Sequence, residues 1–267
     1  MPERIEISLP AVGEEEWLAL RAPLDSGWLT QGSQVAQFET EFASRHQVSH
    51  ALATTSCTTA LHLMLASAGI GPGDEVIVPS FTWVSTANAV VYCGATPVLV
   101  DVDPDTYNIS VEDTVRHVTK RTRAVIAVHL FGLCADMDSL REALPEHILL
   151  FEDAACGAGA SLRGISAGAL GDAAAFSFHP RKSITTGEGG MLTTNNDEIA
   201  NTAAKMRNHG AEISEEQRHN GSQPYLLPEF DVLGFNYRMT DLQGAIGVVQ
   251  LRKLDEFIAE RQCAADL

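Results

Sequence analysis

Lys182 sits in Ser177-Phe178-His179-Pro180-Arg181-Lys182-Ser183-Ile184-Thr185-Thr186-Gly187-Glu188-Gly189-Gly190, a tight, glycine-closed segment between two apolar runs. A lysine ordinarily goes to solvent. Here its neighbours are hydroxyls, small residues and glycines, residue types that let backbone and ligand approach closely. An amine held in such a place is a candidate to form a Schiff base with pyridoxal phosphate (PLP). That cofactor asks four things of a protein: a lysine, a carboxylate on the pyridine nitrogen, a clamp for the phosphate, and something flat against the ring. The carboxylate keeps the nitrogen protonated, so that the ring can serve as an electron sink.

Each requirement has a candidate. Asp153 closes the apolar run Leu149-Leu150-Phe151 and precedes small residues, Ala154-Ala155, that admit a flat ring. An aspartate there also suits a helix N-cap, and both readings stand. Glu152 beside it points the opposite way if the strand continues, which makes it a structural residue or one that supports the site from behind. The phosphate clamp is Thr54-Thr55-Ser56-Cys57-Thr58-Thr59-Ala60, a strand-to-helix junction rich in hydroxyls, where free N–H groups and the helix dipole favour an anion. Ser and Thr are ordinary caps too, so this junction signals little alone. Ser177 adds a further hydroxyl. For the flat surface there is Trp83, in Pro79-Ser80-Phe81-Thr82-Trp83-Val84, equally readable as a core aromatic.

Three competing motifs fail. Gly157-Ala158-Gly159-Ala160-Ser161-Leu162 has a leucine where a dinucleotide fingerprint needs a third small residue. Thr186-Gly187-Glu188-Gly189-Gly190 lacks the Gly-Lys-Ser/Thr ending of a P-loop. The nine histidines show no pair at metal-ligand spacing, so no metal is expected.

The elements that must position these residues alternate. Strand-like runs at 51–55, 75–79, 96–102, 124–130 and 148–151 are separated by helical patterns at 57–68, 82–92, 111–118 and 137–143. Strands apolar throughout, alternating with helices, predict an α/β fold with a mostly parallel sheet covered on both faces. Ligands in such sheets sit beyond the carboxyl ends of the strands, where the candidates fall. Residues 1–33 read as an N-terminal segment with one short helical piece at 14–22, and residues 34–45 as a helix. Around Trp28 the chain is rich in turn formers, and this indole is either a packing plug or a ligand contact. A helix is predicted at 197–208, a long polar, turn-rich stretch at 209–230, and one long amphipathic helix at 241–259.

Composition narrows the class. A hydrophobic share of 45% and a charged share of 20% are those of an ordinary soluble globular protein. A net charge of −17 argues against binding a nucleic-acid backbone. Five cysteines, odd in number and without C-x-x-C spacing, favour a reducing compartment. No apolar run reaches membrane-span length and no signal peptide is legible at the start, so a cytoplasmic location is expected.

Together these residues resemble the DegT/DnrJ family of sugar aminotransferases, PLP enzymes of fold type I. The likeness runs from Gly27 to about Arg261. It rests on Ser26-Gly27-Trp28-Leu29-Thr30, Ser56 to Leu63, Asp101 to Ile109, Val128-His129-Leu130-Phe131-Gly132, Glu152-Asp153-Ala154-Ala155, the lysine segment, and Gly234-Phe235-Asn236-Tyr237-Arg238-Met239, in the family's order. The resemblance implies a three-layer α/β/α large domain over 34–240, with 241–267 as a linking helix toward a small C-terminal domain in which relatives continue. A chain without that domain would be a fragment or a shortened protein.

The resemblance also implies roles: Lys182 as Schiff-base and proton-transfer lysine, Asp153 on the pyridine nitrogen, Trp83 on the ring face. Ser56, Cys57, Thr58 and Ser177 match phosphate-binding positions. Asn236 matches a residue that reaches the phosphate of a neighbouring subunit's cofactor, hence a homodimer with shared active sites. Trp28, Thr30 and His179 fall where the family shapes its sugar pocket. The implied reaction takes an amino group from a donor, commonly glutamate, to a keto group on a nucleotide-linked sugar. Family dehydratases carry histidine at the lysine position, so Lys182 implies transamination. Two alternatives are a non-catalytic member that keeps the fold, and an aminotransferase acting on a non-nucleotide cyclic ketone.

Overall fold

The central strands are buried along nearly their whole length, and successive residues pack into opposite layers on the two faces of the sheet. The computed structural model describes residues 8–266; the first seven residues of the expected N-terminal segment lie outside them. Its strands are β1 (His50–Thr54), β2 (Glu75–Pro79), β3 (Thr96–Val100), β4 (Thr122–Val128), β5 (Leu149–Asp153), the short β6 (Ser161–Leu162) and β7 (Ile165–Ser166), β8 (Ala173–Ser177) and β9 (Gly190–Thr194). Seven of them form one sheet in the order β1-β9-β8-β5-β4-β2-β3, while β6 and β7 make a separate ribbon. Within the large sheet β9 runs antiparallel to both neighbours; the other pairs are parallel. The predicted α/β class and mostly parallel sheet are observed.

The helices are α1 (Glu14–Ala19), α2 (Arg21–Ser26), α3 (Ser33–His46), α4 (Cys57–Ser67), α5 (Ser85–Tyr92), α6 (Val111–Arg116), α7 (Met137–Ala143), α8 (Asp197–Arg207), α9 (Glu215–Asn220), α10 (Asp241–Arg252) and α11 (Leu254–Ala265). On one face of the sheet Val76, Val78, Ala124, Ile126, Phe151 and Ala175 pack with Leu61 and Leu65 of α4, Val90 of α5 and Ala203 of α8. On the other, Ile77, Val125 and Leu150 pack against Met137 and Leu140 of α7. Beside them Ala53, Ala174, Phe176 and Met191 meet Phe38 and Phe42 of α3, and Val248 and Leu251 of α10. Residues of opposite parity on one strand therefore serve opposite layers, as a two-residue period requires.

Several expected boundaries change. The helix expected at 82–92 starts at Ser85, because residues 80–84 turn outward from the end of β2. The piece at 14–22 is two short helices meeting at Leu20. Residues 209–230 contain α9, which Ser214 caps by accepting from the Gln217 N–H. The single helix expected at 241–259 is two, α10 and α11, broken at Lys253, whose N–H turns back to Gln250 O (3.2 Å). Nor does α10 only link: Gly244, Ala245, Gly247 and Val248 are buried, and a Cβ on Gly244 would lie 2.7 Å from the Val35 nitrogen of α3. Glycine is what allows that approach. Among the described residues no helix is long and apolar enough to cross a membrane.

Candidate active site

Strand ends make the site. Beyond the carboxyl ends of β1, β2, β4, β5 and β8 lies a cavity of about 460 Å³. It is lined by Ser56, Cys57 and Thr58 after β1, Thr82, Trp83 and Ser85 after β2, His129 and Leu130 after β4, Asp153 and Cys156 from β5, and Ser177, His179, Arg181 and Lys182 from β8. Eight of the residues predicted from sequence thus meet in one space, although they are spread over 127 positions (56 to 182).

Lys182 lies on the loop of the antiparallel β8–β9 hairpin. That loop is tied at its neck, where the Phe178 N–H donates to Gly189 O (2.9 Å) and the Thr186 N–H to Phe178 O (3.0 Å). Its first turn closes when the Lys182 N–H donates to His179 O (2.9 Å). The lysine Nζ reaches across to Cys156 Sγ at 3.2 Å, a weak acceptor. Antiparallel pairing of β9 with β8 lets a short loop carry the amine over the strand ends.

Asp153 ends β5 with its carboxylate buried beneath the cavity. Oδ2 accepts from the Thr86 hydroxyl (2.7 Å) and Oδ1 from the Ala155 N–H (3.2 Å). Burial pushes the Asp153 carboxyl above its ordinary value, and the hydrogen bonds from Thr86 and Ala155 and the charge of Lys182 only partly pull it back. Such a carboxylate gains by facing a cation. It caps no helix, so the N-cap reading falls away.

The phosphate-clamp candidate is the N-terminus of α4. Ser56 is its N-cap, accepting from the Thr59 N–H (3.2 Å), while its own N–H donates to Thr59 Oγ1 (3.0 Å). The first intrahelical bond runs from the Ala60 N–H to Ser56 O (3.1 Å), so the N–H groups of Cys57 and Thr58 have no helical partner. Gly190, paired with Thr54 in the sheet, presses on this turn: a Cβ there would lie 2.4 Å from the Ser56 carbonyl and 2.6 Å from the Cys57 nitrogen. One of the glycines closing the lysine segment thus serves a backbone-to-backbone approach that seats the hairpin against α4. Burial, with Asp153 adding to it, holds the Cys57 thiol well above its ordinary pKa. Cys57 is therefore an uncharged wall with no thiolate nucleophile.

Trp83 is 78% exposed, so it is no core aromatic; its indole stands at the mouth of the cavity. Ser177 is buried on the cavity wall and accepts from the His179 N–H (3.4 Å). The structure does not bring Trp28, Thr30 or Asn236 into this cavity. The Trp28 indole packs on Gly32 and on the His219 ring (5.2 Å between centroids) and donates to Gln31 O (3.1 Å). Thr30 O accepts from the Asp241 N–H (3.2 Å). Asn236 is exposed, bridged through its backbone to Asn208.

Sequence reasoning passed over Thr86, Cys156, His129 and Arg181 as site residues. Thr86 stands one helical turn beyond Thr82, and its hydroxyl also lies 3.0 Å from that of Thr82, a faint i, i+4 signal. Cys156 follows Asp153 by three residues, and the turn that brings it back, the Gly157 N–H to Ala154 O (2.8 Å), exists only in three dimensions. His129 belongs to the block Val128 to Gly132 and shares the buried network of Glu152.

Comparison with known proteins agrees with this geometry. The model of the DegT/DnrJ/EryC1/StrS aminotransferase family matches residues 10–267. The chain belongs to that family. GDP-perosamine synthase of Caulobacter vibrioides is 46% identical over 261 residues, covering 97% of this chain and 67% of the relative. The spore coat polysaccharide biosynthesis protein SpsC of Bacillus subtilis is 43% identical over 258 residues, covering 96% and 66%. A Streptococcus pneumoniae protein solved in its PLP-form superposes with a TM-score of 0.90 at 26% identity, covering 99% of this chain and 70% of that one. The chain thus spans about two thirds of the length of these relatives. The expected enzyme class, PLP-dependent aminotransferase, and the expected cofactor are those of this family. The residues present fit that cofactor: an amine, a buried carboxylate short of a cation, the N-terminus of an 11-residue helix and an exposed indole share one cavity.

Proposed function

We propose that the chain transfers an amino group from an amino donor, glutamate, to a keto group of a nucleotide-linked sugar. The observation that carries this reading is the meeting of the Lys182 amine and the buried Asp153 carboxylate in one cavity beside the α4 N-terminus. The name of the GDP-perosamine synthase relatives supports a nucleotide-linked sugar as the acceptor. When bound, PLP supplies the electrophilic carbon and the electron sink.

The chain's own residues do the rest. Ser56, Cys57, Thr58 and Ser177 would hold the phosphate, Asp153 would hold the protonated ring nitrogen, and Trp83 would cover the ring. The Lys182 amine, bound by one weak contact to Cys156, is free to swing and to take up and return a proton at the substrate carbon. Trp28, Thr30 and His179 shape the sugar pocket, the first two in the assembled protein, since they lie away from the cavity of their own protomer.

The assembly is a homodimer with shared active sites. In support, Asn236 is exposed outside its own cavity, and Tyr225, Leu227 and Leu233 nearby are at least 76% exposed. Large apolar groups exposed together call for a partner. Domain limits at 33 and 240 and a cytoplasmic location belong to the same reading.

The protein loaded with PLP, given glutamate and a GDP-linked keto sugar, is expected to yield 2-oxoglutarate and an amino sugar, followed by mass spectrometry. Loading should produce a visible absorbance band that Lys182→Ala loses. A band that survives in the mutant removes Lys182 from its role. PLP binding without turnover favours a non-catalytic member, and turnover only with non-nucleotide ketones moves the substrate class. Mixing Lys182→Ala with Asn236→Ala should restore activity in heterodimers if the sites are shared.

A further inference from the structure

Arg181 is the arginine on the cavity wall, and among the described residues it pairs with no carboxylate. Arg45, Arg121, Arg141, Arg163, Arg207 and Arg252 are each paired with a carboxylate. Such pairing is expected in a chain with 35 acidic and 18 basic residues. Arg181 also lines the cavity, where carboxylates are at hand in Asp153 and Glu188. Yet among the described residues its guanidinium has no ion-pair or hydrogen-bond partner; only its backbone N–H is engaged.

That backbone contact organises a second donor. The Arg181 N–H donates to His179 Nδ1 (3.2 Å), so the imidazole proton sits on Nε2, leaving an N–H directed away from the turn. His179 is half-buried on the cavity wall and Arg181 is exposed at its rim. The Lys182 N–H closes the same turn on His179 O. One short turn therefore carries three donors: the Lys182 amine and His179 Nε2–H, both half-buried, and the exposed Arg181 guanidinium at the rim.

We propose that Arg181, with His179 Nε2–H, binds the diphosphate of the nucleotide-linked sugar, a proposal that rests on the substrate class argued above. The reacting keto carbon must come to the Lys182 amine. The anion of an amino acid donor lies one bond from its reacting carbon and so stays deep in the cavity. A sugar ring separates the diphosphate from the keto carbon and carries it toward the rim, where Arg181 waits. A planar guanidinium matches phosphate oxygens two at a time, which an ammonium cannot do. In a protein of net charge −17 the long-range field repels a nucleoside diphosphate, so a local unpaired cation has a large task.

The test is equilibrium binding of GDP, UDP and dTDP to the PLP-loaded protein by calorimetry, in wild type, Arg181→Gln and Arg181→Lys. Wild type should bind at least one of the three. Arg181→Gln should bind it about 10-fold or more weakly, Arg181→Lys at an intermediate level, and added salt should narrow the gap. The glutamate half-reaction, read from the cofactor's absorbance, should proceed in Arg181→Gln at the wild-type rate. Equal nucleotide affinity in wild type and Arg181→Gln would overturn the role of Arg181 while leaving the nucleotide-sugar reading intact. A slowed glutamate half-reaction with unchanged nucleotide affinity would reassign Arg181 to the donor carboxylate. Wild type that binds none of the three and aminates no nucleotide-linked sugar would remove the substrate class itself.

Discussion

Glu152 and Asp153 are neighbours on β5, and both are buried. The strand turns one to each layer, and the two surroundings differ in kind. Glu152 faces the chain leading from β7 to β8 and accepts four hydrogen bonds: from Gly168 (2.8 Å), Leu170 (2.9 Å) and Gly171 (2.8 Å) N–H groups and from His129 Nε2 (2.7 Å). His129 is set for this, since its Nδ1 accepts from the Ala135 N–H (3.2 Å). Every oxygen of Glu152 is matched by protein. Asp153 faces the cavity with two hydrogen bonds and a carboxyl pushed up by burial. One carboxylate is fully matched within the fold, while the other keeps acceptor capacity facing the cavity, which supports the cofactor role proposed for it. The difference teaches that burial does not separate structural from functional acids; the completeness of their hydrogen bonding does.

Breaking Glu152 should cost most. Glu152→Ala strands three backbone donors and a histidine in the interior, at about 1–3 kcal/mol each. The expected outcome is loss of about 3–5 kcal/mol of stability in urea melts, or failure to accumulate folded protein. Asp153→Asn should do the reverse. Activity should fall about 100-fold or more, with weaker retention of PLP. Stability of the cofactor-free protein should not fall. The folded pKa of Asp153 is raised, so its contribution is present at low pH and is lost as pH rises through the folded value. Removing the carboxyl removes that loss, and cofactor-free Asp153→Asn should melt above wild type at neutral pH, the gap closing toward acid.

Thr86→Val sharpens the contrast at smaller amplitude. It deletes the shorter of Asp153's two hydrogen bonds while keeping the side-chain shape. Without that donor the carboxyl rises further, so the acid limb of the pH–activity profile should move to higher pH. Turnover should drop about 10-fold, and Thr86→Ser should restore both. Smallest is Lys253→Met, which probes a third buried carboxylate. Burial opposes ionisation of Glu16, but hydrogen bonds from Gln250, Lys253 and the Gly13 N–H outweigh it and hold the carboxyl at about 2. Its stabilisation is complete above the ordinary value of 4.5 and is lost as pH falls through about 2. Lys253→Met should cost about 1 kcal/mol at neutral pH and start acid unfolding at higher pH, read by circular dichroism.

Much of this contrast was legible beforehand. The apolar run before Asp153 makes a buried strand, and a two-residue period sends adjacent residues to opposite faces, which marked Glu152 as structural. Helix limits at α7 and the limits of β2 could be read directly from where the pattern starts and stops. The break at Lys253 could not, because residues on both sides of it are good helix formers and only packing of α10 against α3 and of Ile258 against Gly159 sets the two directions. Thr86 and Cys156 were missed because each meets its partner across a turn or between elements, at separations no local pattern encodes.

The chain's residues by themselves determined the layers and the strands, and marked Lys182, Asp153 and the Ser56 to Thr58 junction as candidates, because side-chain polarity and period act over a few residues at a time. Tertiary structure decided which of these share a cavity, and that Trp28, Thr30 and Asn236 do not within one protomer. It also decided that Asp153 keeps fewer partners than Glu152 and that, among the described residues, Arg181 keeps no ion pair. Those outcomes depend on distances between elements, and only the packed sheet and its helices set them.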